Sequence, residues 1–179
     1  MSAVTTAAPP TTEARTAVQV YRVYIKAPIE KVWEAITQPE WTERYFYESR
    51  VSFDLRPGGA YESVPSEAMK EHAKQAGYPV APQMTDGEVL EVDPPRRLVQ
   101  TWRLTMDDAM RAEGFTRLTW ELEETRGVTR LTVSHDVTGA SGIAGMVSGD
   151  DGTDGGGGGW AGILSGLKTL LETGDTLWS

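Results

Sequence analysis

Residues 155–174 read GGGGGWAGILSGLKTLLETG, and two incompatible folds can be built on that stretch. Gly157, Gly159 and Gly162 satisfy G-x-G-x-x-G by count. As a dinucleotide-binding turn, that motif needs a strand directly before it, a helix after it and an acidic residue about 20 positions on, inside a βαβ unit. The last segment with strand alternation ends well upstream, near Val137, and no strand pattern follows the glycines. A Walker-type phosphate loop fails too, because Gly166-Leu167-Lys168-Thr169 would lie inside the helix and not at its start. The alternative is an amphipathic helix. Trp160, Ile163, Leu164, Leu167, Leu170 and Leu171 form one apolar stripe at spacings of three and four, and Gly174 supplies a stop. Gly162, Ser165 and Gly166 allow this helix to lie close to a neighbour. The spacing thus predicts a long C-terminal helix. Before it, residues 138–159 read as a Gly-rich tether able to gate a pocket.

Upstream, the pattern is that of an antiparallel sheet. In VQVYRVYIKAP, Tyr21, Val23 and Ile25 alternate with Arg22, Tyr24 and Lys26, as in a half-buried strand. PIEKVWEAIT places Ile29, Val32, Trp33 and Ile36 on one helical face, with Pro28 suited to the first turn. A second short helix is predicted from Pro39 to Phe46, with Trp41 and Tyr45 four apart on one face. Strands follow at RVSFDL (Val51, Phe53 and Leu55 inward), after the PGG turn, at DGEVLEVD and at RRLVQTWRL, the last two joined through Pro94-Pro95. Leu98, Gln100, Trp102 and Leu104 share a face, as do Leu118, Trp120 and Leu122, and then Leu131, Val133, His135 and Val137. Thr125-Arg126-Gly127 is the hairpin between the last two strands. Residues 65–82 interrupt the rhythm with a short helix, capped by Ser66 and ended by Gly77. TMDDAMRAEG is a connection with a helical turn. The order is strand, two helices, six strands and one long helix, which is an α+β domain.

Composition bounds the function. The chain has 179 residues, 17 basic and 26 acidic side chains and a net charge of −9, which disfavours nucleic acid and anionic membranes as partners. It has no cysteine, hence no disulfide, thiol nucleophile or thiolate metal site. Residues 1–16 are rich in Ala, Thr and Pro and read as a disordered tail before one domain over 17–179. They lack the pattern of a signal peptide, and no run of about 18 apolar residues predicts a membrane span. A cytoplasmic protein is expected.

Six stretches in order resemble one family: KAPIEKVWEAITQPEWTERYF, PGGAYE, DGEVLEVDPPRRLVQTWR, FTRLTWELEE, LTVSHDVTG and GGWAGILSGLKTLLETG. It is the family of homologues of the activator of heat-shock-protein-90 ATPase (AHSA-type), within the START-like (SRPBCC) superfamily. The resemblance covers about residues 18–174. It implies a helix-grip (Bet v-like) fold, a curved antiparallel sheet wrapped around a long C-terminal helix with a deep cavity between them. It also implies a protein with a pocket. Superfamily members carry lipids, hormones or polyketides, and a few catalyse cyclisation or dehydration in the cavity. The eukaryotic activator uses this kind of domain to act on the chaperone. The insert at 65–82 and the loop at 138–159 depart from the family pattern, and both are placed near the cavity mouth.

The candidate site follows from inward parity. Trp33, Trp41, Tyr45, Trp102, Trp120, Val133, His135, Trp160 and Leu164 are the expected ligand-cavity residues. Aromatic walls suit apolar or aromatic ligands, although cores also need such side chains. His135 matches a histidine common at this place in the family. It is the one weak catalytic candidate, able to orient a ligand or move a proton. No partner for it is identifiable, so a core histidine bonded to a neighbour is the favoured reading. His72, in the insert, reads as solvated. Asp150, Asp151 and Asp154 do not follow the EF-hand pattern, Glu121, Glu123 and Glu124 read as a solvated strand face, and two distant histidines make a poor zinc site. Gly139-Ala140-Ser141-Gly142-Ile143 falls short of G-x-S-x-G. No metal and no cofactor are expected. Three functions are ranked: a binding module for a small apolar or aromatic molecule, then a cavity enzyme of the cyclase or dehydratase kind using His135, then a chaperone-linked interaction protein. A homodimer also stays open.

Overall fold

The computed structural model describes residues 17–149 and 158–177. The tail at 1–16 and Asp150, Asp151 and Asp154 lie outside them. Seven strands form one antiparallel sheet: β1 (Val18–Ile25), β2 (Ser49–Phe53), β3 (Ala60–Pro65), β4 (Thr85–Asp93), β5 (Arg97–Leu104), β6 (Thr116–Thr125) and β7 (Val128–Asp136). Their order across the sheet is β1-β7-β6-β5-β4-β3-β2. From β2 to β7 each strand pairs with the next in the chain. The first strand closes the far edge by pairing with the last, Tyr21 opposite Val133 and Ile25 opposite Thr129. Between β1 and β2 lie α1 (Ile29–Thr37) and α2 (Pro39–Thr42). The sheet curls into a half-barrel around the C-terminal helix, which is the expected helix-grip α+β architecture.

The C-terminal helix is α6 (Gly159–Thr173). Its stripe buries Trp160, Ile163, Leu164, Leu167 and Leu170 against the concave face, and Leu171 is half-buried. Small residues on the same helix permit close approach. A Cβ added at Gly166 would stand 3.3 Å from the Tyr45 Cβ and carbonyl oxygen, and one at Gly162 would stand 2.9 Å from the Tyr47 hydroxyl. The C-terminal end is tied to β1 through polar atoms. Lys168 Nζ donates to the Tyr24 carbonyl at 2.6 Å, and the Lys26 amide donates to Glu172 at 2.7 Å.

Tertiary packing moves several expected boundaries. The second helix stops at Thr42 and the chain continues in turns through Phe46, so Trp41 and Tyr45 do not share a helical face. Leu55 falls beyond β2 and is 36 % exposed. The stretch expected as a continuous tether contains a helix, α5 (Ser141–Ser148), which buries Ile143 and Val147. Its N-terminus is held from outside: Glu113 accepts from the Gly142 and Ile143 amides at 2.8 and 2.9 Å. A carboxylate there also complements the helix dipole. Glu113 follows a short helix, α4 (Asp108–Ala112). The insert helix α3 (Glu67–Ala76) has the predicted ends, Ser66 accepting from the Met69 amide and Gly77 left-handed, but buries none of its residues.

Candidate functional site

The concave face of the sheet carries most of the expected site. Four rings meet edge to face: Trp102 and His135 with centroids 5.3 Å apart, Trp120 and Trp160 at 5.3 Å, and His135 and Trp160 at 5.9 Å. Strand parity puts Trp102, Trp120 and His135 on one face of three adjacent strands, and α6 delivers Trp160 from above. Val133 and Leu164 are buried beside them.

His135 is fully enclosed and its hydrogen bonds are complete. The indole of Trp160 can only donate, and it does so to His135 Nδ1 at 3.1 Å. On the other side, Nε2 meets Thr116 Oγ1 at 2.8 Å. The Thr116 hydroxyl donates onward to the Trp102 carbonyl at 2.8 Å, so its oxygen accepts from Nε2–H. These bonds select the neutral Nε2–H tautomer. Burial reinforces it, lowering the pKa from the ordinary 6.5 to about 4, with a weaker opposing pull from Asp136. A histidine with both nitrogens engaged by Trp160 and Thr116 has no free lone pair, and both of its hydrogen-bond partners are non-ionisable.

The other expected residues scatter. Tyr45 is buried and donates to the Ala35 carbonyl at 2.9 Å, and burial raises its pKa. Trp33 is half-buried against the core from α1. Trp41 is half-buried too, but Lys31 Nζ lies 4.1 Å over its ring and Arg44 flanks it. Cations cover the outer face of Trp41, which makes it a rim residue and not an interior wall. His72 is exposed and meets Glu48 at 3.0 Å, as a solvated residue would.

Between the helices and the sheet lies a cavity. Its helix side is Ile36, Thr42, Tyr45 and Phe46, and its sheet side is Val51, Phe53, Tyr61 and Trp120. Its volume is ≈ 10 Å³, about the room of one water. The deep cavity implied by the resemblance is therefore not open between these walls. Next to it runs a buried polar band. Tyr61 Oη and Ser63 Oγ both meet Thr85 Oγ1, at 2.9 and 2.6 Å. The Tyr61 hydroxyl is pushed up to about 12 by burial, against smaller opposing effects of Thr85, Trp102, Ser63 and Gln100.

That band holds what the sequence reading left out. Gln100 Oε1 and Nε2, Trp102 Nε1 and Trp120 Nε1 are buried without a well-formed hydrogen bond; Trp102 and Gln100 reach only weakly toward the Tyr61 hydroxyl. Gln100 is 0 % exposed, opposite Val89 on β4 and Leu118 on β6. Its signal was visible as a lone amide on a face otherwise made of Leu98, Trp102 and Leu104. Tyr61, Ser63 and Thr85 carried no comparable signal, because small polar residues are ordinary in strands. Among the described residues no group of His, Asp or Glu could hold a metal ion, and no helix is long and apolar enough to cross a membrane.

Residues 26–172 match the family described as Activator of Hsp90 ATPase homolog 1-like protein. The chain belongs to that family. No curated protein matches it significantly. Solved structures that share the family's fold include CalU16 from Micromonospora echinospora, 21% identical, covering 89% of this chain and 78% of that one, with a TM-score of 0.60. Protein MLL2253 from Mesorhizobium loti is 23% identical, with 89% and 99% covered and a TM-score of 0.61. The Aha1 dimer from Colwellia psychrerythraea is 17% identical, with 88% and 98% covered and a TM-score of 0.56. At these identities the family resemblance carries the fold and leaves the ligand to the residues themselves.

Proposed function

We propose that this protein binds a small apolar or aromatic molecule within the half-barrel, between the concave sheet and α1, α2 and α6. The observation that carries this reading is the set of unpartnered polar atoms of Gln100, Trp102 and Trp120 on an otherwise aromatic wall. Buried polar groups left unpaired cost about 1–3 kcal/mol each, and native interiors hold few of them. An occupant that accepts and donates hydrogen bonds there offsets that cost.

A wall region suited to opening adjoins the cavity. Tyr47 and Glu48 both have positive φ, 48° and 53°, a conformation that bulky side chains adopt at a cost. Phe46, immediately before them, lines the cavity and packs on Trp160 at 5.9 Å. The turn is fastened at its edges, by Tyr47 Oη donating to the Gly159 carbonyl at 3.1 Å and by the Ser66 amide donating to the Glu48 carbonyl at 2.9 Å. Displacing Phe46 enlarges the cavity without breaking the sheet. The cyclase-like reading is the weaker one, since the Nε2–H and the Nδ1 lone pair of His135 are both taken up by Thr116 and Trp160.

Native mass spectrometry of the freshly purified protein tests the proposal. A reproducible adduct that disappears on denaturation and is weakened by Trp120→Ala supports it. An apo mass, together with no response to any of the aromatic probes named below, overturns it.

A further inference from the structure

We infer that the occupant of the half-barrel is a neutral molecule that joins an aromatic or alicyclic ring to a carbonyl oxygen, and that Gln100, Trp102 and Trp120 receive that oxygen. This rests on the binding function proposed above and names the chemistry of its ligand.

Three observations lead there. The first is the balance of unpartnered atoms. The Gln100 amide offers two N–H bonds and each of the two indoles offers one, against a single acceptor, Gln100 Oε1. The wall is thus rich in donors, and its complement is a strong acceptor such as a ketone, quinone or lactam oxygen. The second is charge. Among the described residues the buried polar side chains are threonines, serines, Gln100 and His135, with no Asp, Glu, Lys or Arg. His135 is neutral, and its two nitrogens are occupied by Trp160 and Thr116. An anion or ammonium brought into this interior would find no counter-charge, and an unpaired buried charge costs far more than a neutral dipole. The third is proximity. Gln100 lies on the concave face one row along from the Leu98–Trp120 pair and one row from the Trp102–Thr116 pair, spacings that bring same-face neighbours within reach. Tyr61 and Trp120 line the cavity, and Trp102 and Gln100 reach toward the Tyr61 hydroxyl without forming a full hydrogen bond to it. Trp120 thus borders the cavity directly, and Gln100 and Trp102 share its face of the sheet.

The alternatives within the site are weaker. The Ser63, Tyr61 and Thr85 hydroxyls are already joined to one another through Thr85 Oγ1. A purely hydrocarbon ligand would bury the same donors and leave them unpaired. A hydrogen-bonding site discriminates strongly against an analogue lacking the bonding atom for this reason.

The test uses three probes built on one ring: 2-acetonaphthone, 2-ethylnaphthalene and 2-naphthoate, titrated into the full chain. Indole N–H resonances in ¹⁵N spectra, assigned by Trp→Phe variants, report the contact directly. The ketone should bind at least about tenfold more tightly than the hydrocarbon and the carboxylate, the equivalent of one well-made buried bond. It should move the Trp102 and Trp120 N–H signals downfield. Gln100→Leu should weaken the ketone about tenfold relative to the hydrocarbon. Gln100→Met serves if the leucine variant does not fold. Equal affinity for ketone and hydrocarbon, with both indole signals unmoved, overturns this inference and leaves the apolar binding function standing. Tightest binding of the carboxylate also overturns it. Failure of all three probes to bind overturns the inference and the binding function together.

Discussion

His135 shows how one buried group sets the pH response of the whole domain. Its folded pKa is about 4 against an ordinary 6.5. Between those values the unfolded chain takes up a proton that the folded chain refuses, so stability falls as pH drops through that window and is complete above it. The loss amounts to about 3 kcal/mol by pH 4. Urea unfolding of wild type and His135→Gln at intervals from pH 7.5 to 4.5 checks this, since the variant should show a flatter dependence over pH 6.5–5. Equal slopes would mean that carboxylates alone govern the response. Gln100 makes the opposite prediction. Replacing it with leucine removes two unpartnered polar atoms and should stabilise the ligand-free protein by about 1 kcal/mol, read as a raised thermal midpoint. Stabilisation at a site that loses ligand is the mark of a residue kept for binding.

Among the elements, α6 depends on closeness and α3 does not. Gly166 sits where a Cβ already meets Tyr45 at 3.3 Å. Gly166→Val would push branched methyls onto the Tyr45 backbone and should cost about 2 kcal/mol, measured by denaturant unfolding. A neutral result would show that α6 and the turn after α2 are not in van der Waals contact. The insert helix α3 buries no residue, although its cap is well made. Ser66→Ala should therefore raise hydrogen exchange along Glu67–Ala76 while the global midpoint barely moves, because the roughly 1 kcal/mol of a lost cap stays local. The ends of both helices were legible from Ser66, Gly77 and Gly174, since caps are local chemistry. The end of α2 was not, because the turn from Glu43 to Glu48 is set by Thr42 Oγ1 bonding the Val51 amide at 2.9 Å, a contact across the chain.

At the scale of the molecule, a curved sheet gripping one helix has its largest apolar surface inside. The cavity between Ile36, Phe46, Tyr61 and Trp120 has room for about one water. A ring-sized ligand must therefore wait for an opening, for which the turn around Phe46 is the natural place. Stopped-flow tryptophan fluorescence with 2-acetonaphthone should show an observed rate constant that saturates with ligand concentration, instead of rising in proportion to it at the roughly 10⁵–10⁷ M⁻¹s⁻¹ of a simple encounter. A rate that climbs linearly to the solubility limit would show that the site stands open. The outer face contributes little to this. Its ion pairs, such as Arg97 with Glu91 and Glu121, are solvent-exposed and individually worth at most about 1 kcal/mol.

The strand order, the C-terminal helix, most inward faces and the family were readable from the chain, because alternation, helical spacing and caps report interactions within a few residues. Parity alone pointed Trp102, Trp120 and His135 inward, and the C-terminal stripe did the same for Trp160. What those side chains do to one another was decided in three dimensions. The pairing of the Trp160 indole with His135 joins α6 to β7, the cations over Trp41 turn it into a rim residue, and α5 is pinned by Glu113 from another loop. The orphaned amide of Gln100 is the plainest case. Its inward position is a local property, but its lack of a partner depends on every neighbour that β4, β6 and the helices bring or fail to bring within hydrogen-bond reach.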